Sequence, residues 1–136
     1  MQGDDPDTIR DEGFNPLAYG MSDWGTWFQG EIIGEYVLAN SNLFSYLVGL
    51  SAKPVKILDM HLFYYHFNID QPESLADNVT ARNFADEVDL IFDWQVFDSL
   101  SLSAVLAVAI PGEAARQYTG SGQTWFHSML YASWEL

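Results

Sequence analysis

The feature that most constrains this chain is an alternation with a period of two. Val88, Leu90, Phe92, Trp94 and Val96 alternate with Glu87, Asp89, Ile91, Asp93 and Gln95. After Asp98-Ser99 it resumes, with Leu100, Leu102, Ala104, Leu106, Val108 and Ile110 set against Ser101, Ser103, Val105, Ala107 and Ala109. Extended strands place every second side chain on one face, whereas a helix would scatter these acids around its circumference.

Four further stretches carry related spacing. Residues 24–38 place Phe28, Ile32 and Tyr36 on one face and Gln29, Glu31 and Glu35 on the other, with Gly30 and Gly34 between. Residues 43–53 set Phe44, Tyr46, Val48 and Leu50 against Ser45, Gly49 and Ser51. Residues 57–69 put Leu58, Met60, Leu62 and Tyr64 opposite Asp59 and His61, and residues 123–136 put Phe126, Leu130, Ala132 and Trp134 opposite His127, Tyr131 and Ser133. The pattern therefore predicts about six strands over residues 24–136. Residues 1–23, rich in Asp, Gly, Pro and Asn and without a period, read as an irregular lead-in segment.

The connections differ in length. Residues 53–56 and 98–99 make short breaks, while residues 70–83 and 111–122 are long and polar. Outer-membrane barrels have short turns at one end, longer loops at the other, aromatic girdles, and strands of roughly 9–11 residues. The short Ala39–Asn42 gap is the exception to that alternation. A soluble antiparallel sandwich alternates in the same way, with strands usually about 5–6 residues long. The fold class read here is thus all-β: an antiparallel up-and-down transmembrane β-barrel segment. A secreted soluble β-sandwich, using some of its tryptophans to stack on sugar rings, remains the alternative.

Composition narrows the function classes. Nineteen acidic against five basic side chains give a formal charge of -14, which argues against a nucleic-acid partner, and 49% apolar content is too high for a disordered acidic tail. The longest apolar run, Ala104 to Ile110, is too short for a membrane-spanning helix. Met1-Gln2-Gly3-Asp4-Asp5 lacks the basic and apolar regions of an export signal, so an exported form of this chain is expected to be trimmed or a fragment.

Candidate chemistry is sparse. His61 and His66 stand at an odd spacing that sends them to opposite faces of one strand, and neither a metal nor another cofactor is implied. Asp5-Pro6-Asp7 departs from a calcium loop at Ile9 and Arg10. Paired carboxylates at Glu31/Glu35, Glu87/Asp89 and Asp89/Asp93 read as acids on one solvated face, since neighbours two apart on a strand project in parallel and do not flank a bond. No serine has a base and orienting acid at recognisable spacing. The pattern does not read as an enzyme. The lumen-lining candidates are Glu31, Glu35, Asp59, His61, Glu87, Asp89 and Asp93, and Arg82 and Arg116 are the basic candidates in loops.

Several segments resemble one family. Residues 34–43, Gly-Glu-Tyr-Val-Leu-Ala-Asn-Ser-Asn-Leu, are similar to the region of the alginate-export family of outer-membrane barrels where one strand passes through a short Asn/Ser turn into the next. Residues 58–67 resemble that family's aromatic strand, Glu87-Val88-Asp89-Leu90 its acidic strand start, and residues 100–115 its penultimate strand and loop. The resemblance runs from about Phe14 to Leu136 and implies the C-terminal portion of a larger porin in the bacterial outer membrane. It implies lipid and the barrel-assembly machinery as partners, and polysaccharide or small solutes as cargo. Two features depart from the family. Acids stand where alginate-passing members are expected to carry Arg and Lys, and the chain ends on Leu136 instead of an aromatic residue, although Leu130, Ala132 and Trp134 keep the alternation.

Overall fold

The computed structural model describes residues 29–135. The irregular lead-in expected for residues 1–23, and residues 24–28 of the first expected strand, lie outside them. The described chain forms five antiparallel strands in sequential order: β1 (Leu43–Val55), β2 (Leu58–Ile69), β3 (Asn83–Phe97), β4 (Leu100–Pro111) and β5 (Trp125–Trp134). All are long, and each pairs only with its sequence neighbours. β1 and β5 are therefore the two edges, and the sheet does not close on itself.

The connections segregate by length. β1–β2 and β3–β4 are joined by two-residue turns at one end of the sheet, Lys56-Ile57 and Asp98-Ser99. At the other end the longer loops carry short helices, α1 (Pro72–Leu75) and α2 (Glu113–Thr119). Gln117 ties these loops together. Its Oε1 accepts the Thr80 and Ala81 N–H groups, and its backbone carbonyl accepts the Asn78 side-chain amide. Val79, Phe84, Ala114 and Ala115 are buried beneath them.

The strand expected over residues 24–38 is not a strand in its described part. Gly30–Val37 forms a π-helix packed on one face of the sheet, so the described strands number five, not six. Leu38 N–H donates to Ile33 O at 2.9 Å, the five-residue step of a π-turn. Gly30 sits at φ +83, and a Cβ there would fall 2.7 Å from the Phe67 ring, so both conformation and space call for glycine. The Ala39–Asn42 segment consequently links a helix to β1 and is not a hairpin turn. Asn42 anchors it, accepting the Gln71 N–H and donating to Gln71 O and Ser74 Oγ.

The two faces of the sheet differ sharply. On one, here the inner face, Ile32, Ile33 and Leu38 of the helical segment pack with Tyr65, Phe67, Ile69, Ala85, Ala107 and Ala109. The small alanines of β3 and β4 leave room for the helix, and Tyr65 and Phe67 stack at 5.6 Å. The other, outer face is apolar through its central rows and uncovered among the described residues, with His66 and Asp86 toward the long loops. Register sets Val48, Tyr64, Val88, Val108 and Phe126 in one row across all five strands. Leu50, Leu62, Leu90, Leu106 and Ser128 form the next, and Ala52, Met60, Phe92, Ala104 and Leu130 a third. None of these positions carries a charge. Phe126 is 80% exposed, Leu130 75% and Leu106 53%, values that a soluble protein seldom presents as one contiguous surface.

Candidate functional site

The inner face holds most of the ionisable groups of the strands, with His66 and Asp86 on the outer face, and strand pairing decides which ones meet. Glu87 and Asp89 lie two apart on β3 and project together beneath the start of the π-helix. The first N–H groups of any helix lack partners within it, and here carboxylates supply them. Ile32 N–H donates to Glu87 Oε1 at 2.6 Å, Ile33 N–H to Glu87 Oε2 at 2.8 Å, and Glu31 N–H to Asp89 Oδ2 at 3.1 Å. Negative charge at a helix N-terminus is favourable, so β3 serves as a cap supplied from more than fifty residues away in sequence.

The Glu31 side chain joins this cluster. Its Oε1 stands 3.2 Å from His127 Nε2 on β5, and the His127 ring lies 5.0 Å from that of Tyr36. Glu31, Glu87 and Asp89 are all shut off from solvent, at 1%, 0% and 0% exposure. Burial, then the neighbouring Asp89 and Glu35, push the Glu31 carboxyl up from its ordinary value to about 7. Glu31 Oε2 and Asp89 Oδ1 have no hydrogen-bond partner among the described residues.

Nearer the short turns, a second polar line crosses four strands, β1 to β4. Ser51 Oγ and His61 Nδ1 share a hydrogen bond at 2.8 Å, His61 Nε2 stands 3.8 Å from Asp93 Oδ2, and Ser103 Oγ donates to Asp93 Oδ1. Phe63 stacks on the imidazole at 5.8 Å. The residue types are those of a nucleophilic serine site. However, the 3.8 Å gap leaves His61 without a close orienting carboxylate, and the line reads as a hydrogen-bonded polar track. Asp59 is paired with Lys53 at 2.7 Å.

The seven acidic and histidine candidates thus separate into three settings. Glu31, Glu87 and Asp89 are brought together under the helix, Asp59, His61 and Asp93 lie toward the short turns, and Glu35 is exposed on the helix. Arg82 and Arg116 are exposed at the long-loop end, away from both groups. His66 lies on the opposite face from His61, as the odd spacing requires, and meets Asp86 at 2.8 Å. Among the described residues no three His, Asp or Glu side chains are arranged to hold a metal ion. Sequence reasoning did not single out His127, Ser51 or Ser103 as partners. The parity of His127 on β5 was the available signal, since register sets it beside Ala107, which in turn faces Asp89. Comparison with protein-family models, with curated proteins and with solved structures finds no match.

Proposed function

We propose that this sheet is part of the wall of an outer-membrane β-barrel, and that the protein it belongs to is a porin, alginate-export-like, passing polysaccharide or small solutes through a hydrated lumen. The observation that carries this reading is the outer face: contiguous, uncharged through three rows, and bordered by aromatic side chains at both ends. Phe44, Tyr46, Tyr64 and Phe126 lie toward the long loops, and Trp94, Phe97 and Trp134 toward the short turns. That is the distribution expected of a lipid-facing surface between two interfaces. Leu100 to Ile110 covers about 33 Å of strand at the usual rise, which a tilt of about 40° reduces to roughly 25 Å, the height of such an apolar band.

Five strands are fewer than the eight of the smallest membrane barrels, so the wall needs further strands at β1 and β5. Glu35, Asp59 and Asp93 on the inner side then border water, with the π-helix lying on the lumen side over the buried acids. The chain has no cysteine, which permits single labels. Fluorophores at Leu106→Cys and Leu130→Cys, in protein reconstituted into vesicles, are expected to be quenched by a nitroxide carried on lipid tails. A fluorophore at Ser101→Cys is expected to respond to an aqueous quencher instead. If the Leu106 and Leu130 labels respond only to the aqueous quencher, the membrane reading is wrong, and the soluble sandwich takes its place.

A further inference from the structure

We propose that the π-helix is a pH-released cover on the inner face, held down while the Glu31, Glu87 and Asp89 carboxyls keep a proton among them and let go as all three ionise. The release itself rests only on the geometry below, and its meaning as a gate rests on the pore reading.

Three backbone N–H groups of the helix are held by two carboxylates, and the Tyr65 phenol hydrogen-bonds to the Gly30 backbone, so these groups attach the start of the helix to the sheet. The same place is overloaded with acid. From β3 the Glu31 carboxyl faces Asp89, which itself lies beside Glu87, from β5 His127, from β2 the Tyr65 phenol, and within its own helix Glu35 and Tyr36. β4 contributes only Ala107 and Ala109 beside them. With all three carboxyls charged, one imidazole and the partial positive charge of a helix start face three buried negative charges. The two orphan oxygens, Glu31 Oε2 and Asp89 Oδ1, point the same way. Buried carboxylate oxygens without a donor are costly, and a retained proton turns one of a pair into a donor for the other.

Opposing release is the burial of Ile32 and Ile33 against Phe67 and the alanines. The balance therefore shifts with pH. In mildly acidic solution a shared proton removes the repulsion and the cover sits down. In alkaline solution every carboxyl ionises, the repulsion is unrelieved, and the segment lifts about the link at residues 39–42.

Hydrogen exchange of the Ile32 and Ile33 amides, in the whole protein in detergent micelles, reads this directly as protection relative to the intrinsic rate. Protection is expected to fall at least about tenfold from about pH 5.5 to about pH 8.5, while amides of the β3–β4 ladder keep theirs. In Glu31→Gln one charge is gone, and protection at Ile32 and Ile33 is expected to lose its pH dependence. Glu87→Gln replaces one accepting oxygen with a donor, and protection is expected to fall at every pH. Protection in the unsubstituted protein that does not change with pH, or that rises with it, overturns the proposal. So does a Glu87→Gln variant as protected as the parent. Single-channel recording separates the two readings. Protection that falls with pH in a protein that does not conduct keeps the cover and rejects the pore, and a conducting protein with constant protection does the reverse.

Discussion

Gly30 and Glu31 show how much of the fold can hang on single side chains. Gly30→Ala forces a side chain onto a left-handed backbone and against Phe67 and Glu87, at a cost of about 1–3 kcal/mol. Urea denaturation of the variant should register that loss, together with weakened protection of Ile32 and Ile33. Glu31 sets a sign. Its carboxyl binds a proton more tightly folded, at about 7, than at the ordinary 4.5, so between those values the folded state carries more protons than the unfolded one. Stability is therefore greatest below about pH 4.5 as far as this group is concerned, and falls as pH rises to about 7, by roughly 3 kcal/mol at most. Urea midpoints across that window should decline in the parent and flatten in Glu31→Gln. Glu31 lies on a helix where a strand was expected, so of the pair Glu31 and Glu87 only the face of Glu87 was legible in the sequence, through the period of two. Their meeting was not. It depends on a hydrogen bond between residues 32 and 87, which no local pattern encodes.

At the scale of elements, the five strands and both short turns follow the alternation closely, and the first expected strand shows where that signal becomes ambiguous. Ile32 and Tyr36 are four apart, a spacing that lands on one face in a strand and nearly one face in a helix. Gly30 and Gly34 repeat the same step, so nothing between residues 29 and 38 separates the two periods. Tertiary contacts decide in favour of the helix, through carboxylate caps on β3 and room left by alanines on β4. Where long strands stand beside one another, the assignment of faces makes a sharp prediction. Leu106→Arg, in the middle of the outer face, should destabilise the membrane-inserted protein by about 2–4 kcal/mol, and Ser101→Arg, on the other face, by much less. Folding titrations in lipid vesicles measure both, and equal costs would contradict a lipid-facing surface.

For the whole molecule, the charge of -14 is distributed unevenly in consequence as well as in position. Glu31, Glu87 and Asp89 are closed off under the helix, which leaves Glu35, Asp59 and Asp93 as the inner-face acids with access to water. If the sheet lines a pore as proposed, these three should favour cations, and replacing them with Gln, Asn and Asn should move the reversal potential toward anions, most clearly at low salt where screening is weak. A potential that stays put at low salt would mean that they do not border the conduction path. The odd number of described strands has a separate consequence for the proposed barrel wall. Since neighbours alternate in direction, β1 and β5 both run from the long-loop end to the short-turn end. Two copies of this sheet placed side by side with the same ends up would therefore meet in parallel at every seam. A ring that is antiparallel throughout requires an even total, so the strands that complete it must be odd in number, and reaching the eight of the smallest barrels takes at least three. If the sheet is a barrel wall as proposed, the parity of whatever completes it is thus already set by the five described strands.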